Sequence, residues 1–247
     1  MKEQVSAIIL AAGKSTRLYP LTLTTPKVLL PLAGKPVINW TLGWLQQHEI
    51  RRAAINLHHL GEKVETYLGD GSQYGMQIKY SKEENLLGTA LGAKMMSGFF
   101  SGLKVIIYGD VVCDLDLTAM IAFHLQRKAV ATLALFGRAD RRDVGGVKMT
   151  TDDRIMGFKE RIDETDNGYD YANGGIYVAD PSIFTLEDSR EFSDFGSNLL
   201  PELVAKGYPV YGYKLGAGDY LMDMGTKERY RRVDADARAG KVKVIPL

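Results

Sequence analysis

The feature that constrains the fold most is a regular alternation of short apolar runs with longer helical patterns through the first half of the chain. An apolar run rich in Val and Ile is typical of a strand that is buried on both faces. Strands that alternate with helices pair in parallel, because the helix carries the chain back to the same end of the sheet. The pattern therefore predicts an α/β fold with a doubly wound, mostly parallel, Rossmann-like mixed sheet flanked by helices. Strands are predicted at residues 5–10, 53–57, 76–81 and 104–110, and helices at 36–48, 61–68, 89–99 and 117–128.

The pattern changes after residue 129, where short strands follow one another with brief turns, and the segment TTDDR is typical of a hairpin. This second half is predicted to form a mixed sheet that covers the first. We find no linker and no internal repeat, so the chain is predicted to be one domain, 1–247, with halves at 1–129 and 130–247. Strands are predicted at 131–136, 145–150, 154–160, 174–179 and 208–213, and helices at 199–206 and 226–239.

The charge balance argues against several classes of partner. Lys and Arg number 31 and Asp and Glu number 30, which gives a formal net charge of +1. Binding to nucleic acid or to a membrane surface usually needs a basic excess, so neither partner is expected. The single cysteine, Cys113, excludes an intramolecular disulfide and a cysteine-based zinc site. Gly13 and Lys14 interrupt the first apolar stretch and no long one follows, which predicts a cytoplasmic protein without a signal peptide or membrane span.

Residues 10–36 form a segment unlike a strand or an amphipathic helix, because glycines and prolines are interleaved with basic side chains. Gly13 directly follows a predicted buried strand, where a residue without a Cβ lets the backbone turn tightly and approach a ligand. Thr16 offers a hydroxyl, Arg17 a planar fork for paired phosphate oxygens, and Lys27 a point charge. The loop is predicted to hold a triphosphate, with an inert basic loop as the alternative. Its spacing matches neither the Walker motif G-x-x-x-x-G-K-[ST] nor the dinucleotide motif G-x-G-x-x-G.

The same loop carries a family signature. Residues 13–36, GKSTRLYPLTLTTPKVLLPLAGKP, resemble the opening motif of the sugar-phosphate nucleotidyltransferases, G-x-G-T-R-L-x-P-L-T followed by P-K-x-L-L-P-V and K-P. Ser15 stands where the motif has its second glycine. Further segments match in the family's order, so the resemblance spans residues 7 to about 232. They are NLLGTALGAK (85–94), YGDVVCDLDL (108–117), GFKER (157–161), YANGGIYV (171–178) and YLMDMGTKERY (220–230).

The resemblance implies an enzyme that joins a nucleoside triphosphate to a sugar 1-phosphate and releases pyrophosphate. It also implies the nucleotide-diphospho-sugar transferase fold, with a nucleotide-binding first half and a sugar-phosphate-binding second half. Mg²⁺ is the implied cofactor, held by Asp110 and Asp223, and the implied catalytic residues are Arg17, Lys27 and Asp110. The implied nucleotide-binding residues are Leu10, Ala12, Gly13, Thr16, Arg17, Glu83, Gly88 and Thr89. The implied sugar-phosphate-binding residues are Gly146, Glu160, Arg161, Asn173 and Gly174.

Some of these assignments have a competitor nearby in the sequence. Glu84 competes with Glu83 as the residue that reads the base. Lys159 competes with Arg161, which stands where the family usually has a lysine for the sugar phosphate. Gly145 replaces a tyrosine of the family pattern, which is expected to widen the sugar pocket.

Other polar and aromatic residues are expected to have structural roles. From the residues alone, Asp110 fits a turn cap as well as a metal ligand, and only the resemblance favours the metal. Asp114 and Asp116 are expected to cap the helix that begins near residue 117. We expect surface or capping roles for His58 and His59, and core positions for Cys113, Trp40 and Trp44.

The LGTA segment and the DVVCDLDL run most resemble the guanylyltransferases of the family, which favours GTP with mannose 1-phosphate or a manno-heptose 1-phosphate. UTP or dTTP with a glucose-type 1-phosphate is the close alternative, and a cytidylyltransferase of the phosphocholine type is more distant. The non-enzyme alternative is a regulatory subunit that binds nucleotide sugars; it is disfavoured because Arg17, Asp110 and Asp223 are all present. The left-handed β-helix domain of many relatives is not expected, and a homo-oligomer is left open.

Overall fold

The computed structural model describes residues 5–137, 145–160, 166–187 and 190–247. The strands are β1 (Val5–Leu10), β2 (Pro31–Leu32), β3 (Lys35–Pro36), β4 (Arg52–Leu57), β5 (Gln77–Lys82), β6 (Leu103–Tyr108), β7 (Val111–Cys113), β8 (Ala131–Gly137), β9 (Gly146–Met149), β10 (Ile155–Lys159), β11 (Tyr171–Ala179), β12 (Val210–Lys214) and β13 (Leu221–Asp223). The α-helices are α1 (Leu21–Thr24), α2 (Val37–Gln47), α3 (Gly61–Leu68), α4 (Thr89–Ser97), α5 (Leu117–Gln126), α6 (Leu200–Ala205) and α7 (Lys227–Arg238). None of the helices in the described ranges combines the length and the apolar character needed to cross a lipid bilayer.

Most strands belong to one mixed sheet, in which β10, β9, β11, β6, β1, β4 and β5 lie side by side in that order. The part formed by β6, β1, β4 and β5 is parallel throughout, with Ala7 of β1 opposite both Ala53 of β4 and Val105 of β6. Strand β11 runs antiparallel to β6 and also pairs with β8, and β12 lies parallel to β8. The predicted α/β fold with a mostly parallel mixed sheet is confirmed.

Strand β1 shows why its sequence is apolar almost throughout. Ala7 and Ile9 belong to one hydrophobic cluster, together with Trp44 of α2. Ile8 belongs to the other cluster, together with Ala93 of α4. Because helices cover both faces of the sheet, successive side chains of the strand are buried on opposite sides.

The polar and aromatic residues that we expected to have structural roles are found in such roles, except that Asp114 has a different role from the one predicted. Asp116 caps α5 by accepting a hydrogen bond from the backbone N–H of Ala119 at 2.9 Å. Asp114 does not cap this helix, so that prediction is wrong. Its carboxylate accepts hydrogen bonds from the N–H groups of Tyr220 at 2.6 Å and Lys243 at 2.9 Å, because β7 directs it towards the C-terminal segments. Trp40, Trp44 and Cys113 are buried, and His58 and His59 bond the backbone carbonyl oxygens of Glu83 and Thr22.

A second, two-stranded sheet that the sequence did not predict joins distant parts of the chain. Strands β7 and β13 pair antiparallel, with Val111 opposite Asp223. Next to this ladder, the N–H of Met224 donates a hydrogen bond to the backbone oxygen of Asp110 at 2.9 Å. The small sheet therefore holds positions 110 and 223 beside each other.

Candidate active site

Two adjoining cavities open where β1 and β6 end, at the sheet edge where open α/β folds bind ligands. The first has a volume of 290 Å³ and the second a volume of 170 Å³. Tyr108 and Asp110 line both cavities, so molecules bound in the two would be neighbours. Of the residues predicted from the sequence, Leu10, Ala12, Gly13, Lys27, Glu83, Gly88, Thr89 and Asp110 line the first cavity. Arg17, Asp110, Glu160, Asn173, Gly174 and Asp223 line the second.

Other predicted residues are not brought to these cavities. Thr16 is exposed and lines neither of them. Gly146 is buried in β9, and its neighbour Gly145 lines the second cavity instead. Glu84 is exposed and also lines neither cavity. Arg161 lies outside the described residues.

The loop after β1 makes its left-handed turn at Ser15 rather than at Gly13. Ser15 has a φ of 53°, a conformation that favours glycine, and the family motif has glycine at this position. The carbonyl oxygen of Ser15 accepts hydrogen bonds from Leu18 N at 3.0 Å and from Thr22 Oγ1 at 2.9 Å, which hold the turn. Gly13 has open space where a side chain would begin. The tight turn predicted at Gly13 therefore occurs two residues later, and Gly13 leaves room at the cavity wall.

A buried chain of hydrogen bonds connects Glu83 to the same loop. Glu83 is 8% exposed, and its Oε1 accepts a hydrogen bond from Asn56 Nδ2 at 2.7 Å. Asn56 Oδ1 in turn accepts from the N–H of Ala11 at 2.6 Å. Glu83 Oε2 accepts from the N–H of Leu87 at 3.1 Å. Glu83 thus positions the loop while it lines the first cavity. Sequence reasoning missed Asn56, although a lone polar residue in the apolar run AAINL was a usable signal.

Lys27 and Asp110 form an ion pair on the border between the two cavities. The Lys27 ammonium donates to Asp110 Oδ2, and the two side chains are 15% and 20% exposed. Gly109 allows the end of β6 to lie close to the loop that follows β1. A Cβ on Gly109 would lie 2.8 Å from the carbonyl oxygen of Leu10 and 2.9 Å from Val28 Cγ1. The loop that follows β1 and the end of β6 are therefore in direct contact.

Asp223 has a counterion of its own in the second cavity. Both of its carboxylate oxygens accept a hydrogen bond from Arg229 Nη1 at 3.0 Å, and Oδ1 also accepts one from the N–H of Gly225 at 2.8 Å. The guanidinium of Arg17 lies next to the same turn, with Nη2 3.2 Å from the place of a Cβ on Gly225. The structure thus brings Arg17 and Asp223 together, and it adds Arg229, which sequence reasoning missed.

Asn173 belongs to a polar cluster beneath the second cavity. Its Nδ2 donates to the hydroxyl of Tyr177 at 2.8 Å, and that hydroxyl donates to the hydroxyl of Tyr108 at 3.3 Å. Burial raises the pKa of Tyr108 from 10.0 to about 12, so its phenol stays neutral well into the alkaline range. Gly174 must lack a side chain, since a Cβ there would lie 2.8 Å from the carbonyl oxygen of Ala134.

Glu160 lies against the π-helical turn Phe195–Leu199. A Cβ on Gly196 would lie 1.6 Å from Glu160 Oε2, so only glycine leaves room for the carboxylate in this position. π-Helical turns are frequent at functional sites. The neighbouring Lys159 forms an ion pair with Asp166.

Gly88 and Thr89 hold a segment of the second half against the first cavity. Gly88 has a φ of 84°, and a Cβ there would lie 2.4 Å from the carbonyl oxygen of Ser193. Thr89 donates to Asp194 Oδ1 from its N–H at 2.8 Å and from its hydroxyl at 2.9 Å. The interaction places Phe192 in the cavity lining.

Phe192 and Leu86 give the first cavity an apolar entrance. Their exposed fractions are 54% and 39%, which is large for such side chains. Both line the cavity that also contains Gly88 and Glu83. Exposed apolar side chains beside a cleft are suited to contact the flat face of a ligand. Phe192 was not among the residues predicted from the sequence.

Asp110 and Asp223 are the two carboxylates of this wall that could hold a divalent cation. Asp110 and Asp223 supply hard oxygen ligands on one cavity wall. Within the described ranges, no group of three or more His, Cys, Asp and Glu side chains is arranged to hold a metal ion. Mg²⁺ is commonly bound by one or two carboxylates together with phosphate oxygens and water, so two carboxylates suffice.

A comparison with known proteins shows which family the chain resembles along its length. The family model described as "Nucleotidyl transferase" matches residues 6–240. The chain is 35% identical to a UTP–glucose-1-phosphate uridylyltransferase of Synechocystis sp., over 85% of this chain and 58% of that protein. It is 34% identical to a mannose-1-phosphate guanylyltransferase of Mycobacterium tuberculosis, over 96% of this chain and 66% of that protein. The chain thus spans less than two thirds of the length of these two relatives.

A third relative matches over nearly its whole length. The chain is 31% identical to a D-glycero-alpha-D-manno-heptose 1-phosphate guanylyltransferase of Aneurinibacillus thermoaerophilus, over 94% of this chain and 98% of that protein. Among solved structures, one from Bacillus anthracis, provisionally described as a glucose-1-phosphate thymidylyltransferase and solved with sucrose, has a TM-score of 0.82. Its sequence is 24% identical, and the match covers 95% of both chains. At this identity the likeness shows a shared fold.

Proposed function

Because the chain belongs to the nucleotidyl transferase family, we propose that it joins a nucleoside triphosphate to a sugar 1-phosphate and releases pyrophosphate. The observation that carries this proposal is the pair of adjoining cavities that share Asp110. One cavity suits a nucleotide and the other a sugar phosphate, and their common wall is where the two phosphates would meet.

In the proposed reaction, a phosphate oxygen of the sugar 1-phosphate attacks the α-phosphorus of the triphosphate. The bond between the α-phosphorus and the bridging oxygen breaks, and pyrophosphate leaves with the electron pair. The nucleophile is already an anion at pH 7, so no general base is required. Catalysis then consists of positioning the reactants and compensating their negative charge. Lys27 and Arg17 are the side chains we propose for this task, one from each cavity.

We propose Mg²⁺ as the cofactor, with Asp110 and Asp223 as its protein ligands. When bound, the ion would supply charge compensation for the phosphate oxygens. Lys27 and Arg229 hold these carboxylates in the ion pairs described above, which limits repulsion between two anionic side chains on one wall.

For the base, we propose that Leu86 and Phe192 contact its face and that Glu83 lies at its edge. A carboxylate accepts hydrogen bonds from the N1–H and N2–H groups of guanine and from the imide N–H of uracil. The proposed pair is GTP with mannose 1-phosphate or a manno-heptose 1-phosphate, in line with the two guanylyltransferase relatives. UTP with glucose 1-phosphate is the second candidate, favoured by the uridylyltransferase relative.

For the sugar phosphate, we propose that Glu160 and Asn173 contact the sugar hydroxyls in the second cavity. Arg161 and Lys159 stay alternative ligands of the phosphate. Gly145 lines this cavity where the family pattern has a tyrosine, which supports a wider sugar pocket.

The test is a matrix of four triphosphates against mannose, manno-heptose and glucose 1-phosphates, with pyrophosphate release as the readout. We expect turnover with GTP and a manno-configured sugar phosphate, and loss of turnover when EDTA removes divalent cations. Turnover only with UTP or dTTP would move the assignment to the second candidate. No turnover with any pair, combined with tight binding of a nucleotide sugar, would contradict the enzyme and favour the regulatory subunit.

A further inference from the structure

Arg229 stands at a position where helix formation disfavours a cation. It lies in the first turn of α7, whose cap is Thr226, and Thr226 Oγ1 accepts a hydrogen bond from Arg229 N at 3.2 Å. Three residues after such a cap, Glu or Gln completes a capping box. The exposed N–H groups of a first turn carry partial positive charge, which repels a cationic side chain. The stability of the helix therefore does not explain this arginine.

The side chain of Arg229 is directed into the second cavity. Its Nη1 contacts both oxygens of Asp223, and the two side chains are 22% and 25% exposed. The pair is thus in reach of solvent and of a ligand in the cavity. An ion pair with this exposure is weak enough for a more highly charged partner to exchange with it.

Two guanidinium groups lie beside Asp223, and the other carboxylates that line the second cavity are Asp110 and Glu160. Lys27 balances Asp110, and Arg229 balances Asp223. The guanidinium of Arg17 lines the same wall, beside the turn that holds Asp223. Two guanidinium groups around one carboxylate form an electropositive site, and planar guanidinium groups match the oxygens of a phosphate.

We propose that Arg229 binds the phosphate group of the sugar 1-phosphate, exchanging its contact with Asp223 for one with the substrate. This inference rests on the proposed function. A phosphate monoester carries close to two negative charges at pH 7, so it attracts the guanidinium more strongly than a single carboxylate does. After the exchange, the oxygens of Asp223 are available to the divalent cation. Arg229 is then a specificity-determining residue for the sugar-phosphate side.

The test compares Arg229→Gln, Arg229→Lys and the control Arg232→Gln in the full chain, with Tm as the check on folding. Arg232 is on the same helix, its side chain is 70% exposed, and its ion-pair partner Asp236 is 3.9 Å away. Steady-state rates are measured with the sugar 1-phosphate and triphosphate that the activity matrix identifies. For Arg229→Gln we expect the sugar-phosphate KM to rise about tenfold or more and the triphosphate KM to change less than about threefold. Arg229→Lys should recover part of the loss, because it keeps the charge, and Arg232→Gln should behave as wild type.

A second readout does not need turnover. Mn²⁺ binding to the substrate-free protein, followed by electron paramagnetic resonance, should tighten in Arg229→Gln by about threefold or more, because Arg229 no longer competes for Asp223. An arginine that only fixes Asp223 would lower kcat and leave the sugar-phosphate KM unchanged, and that result would overturn the inference. Unchanged or weaker Mn²⁺ binding would also contradict it. A wild-type protein without turnover for any pair would instead remove the proposed function, and this inference with it.

Discussion

The contact between Gly196 and Glu160 allows the sugar side of the proposed site to be tested without touching a charged residue. In Gly196→Ala, the new Cβ would lie 1.6 Å from Glu160 Oε2. Ordinary van der Waals contact begins about 2 Å further out, so the carboxylate must move by about that distance. Hydrogen bonds that sugar hydroxyls donate to the carboxylate do not survive such a displacement.

The expected cost follows from the number and type of hydrogen bonds lost. A hydrogen bond to a charged group contributes about 1.5–3 kcal/mol, which corresponds to a factor of roughly 10 to 100 in affinity. We expect the KM for the sugar 1-phosphate to rise by about this factor and the triphosphate KM to stay within about threefold. The Tm should change little, because Glu160 is exposed and its side chain can rotate away.

The assay is steady-state pyrophosphate release, with Gly98→Ala as the matched control. A Cβ on Gly98 meets no atom within 4 Å, and its φ of −84° suits alanine. Glu160→Gln serves as the positive control. If Glu160→Gln raises the sugar-phosphate KM and Gly196→Ala does not, the carboxylate is not held where the geometry puts it, and the reasoning is refuted.

Three further expectations test other parts of the molecule. Asp110→Asn should reduce turnover about 100-fold or more with an unchanged far-UV spectrum, and near-normal activity would reject its proposed metal role. Phe192→Ala should raise the triphosphate KM about tenfold through loss of contact with the base face, with Met156→Ala, which is 57% exposed, as the control; an unchanged KM would exclude that contact. Burial lowers the pKa of His124 from 6.5 to about 4, so the unfolded chain takes up a proton in this range that the folded chain does not. The free energy of unfolding should fall by up to about 1.4 kcal/mol per pH unit as the pH decreases from 6.5 towards 4. His124→Asn, which can keep the 2.9 Å hydrogen bond to Thr132 Oγ1, should lose this part of the slope in urea titrations, and an unchanged slope would contradict it.

Much of the fold was predictable, because each element has a local cause in the chain. The apolar run of β1 predicted a strand buried on both faces, and the proline and tryptophan spacing predicted α2. The left-handed turn at Ser15 was harder to predict, because serine seldom adopts a positive φ. The family motif has a glycine at this position, where this chain has Ser15, and glycine is the residue that a positive φ favours.

The site was predictable only in part, because several of its members have no motif of their own. Asp110 and Asp223 were predicted from the resemblance, yet nothing local indicates that they are neighbours. Asn56 and Arg229 were missed, since an asparagine in a strand and an arginine in a charged helix are ordinary residues. Glu83 was predicted as a base reader, and the structure shows in addition that its carboxylate holds Asn56.

The amino-acid sequence by itself determined the order of strands and helices, the glycine- and proline-rich loop after β1, and the family. These depend on hydrophobic periodicity and on short runs of residues, which act over a few positions along the chain. The tertiary structure alone decided which charges share a wall: Lys27 with Asp110, and Arg229 and Arg17 with Asp223. Such pairings depend on β7 meeting β13 and on loops closing over the sheet, and these contacts are made between residues far apart in the chain.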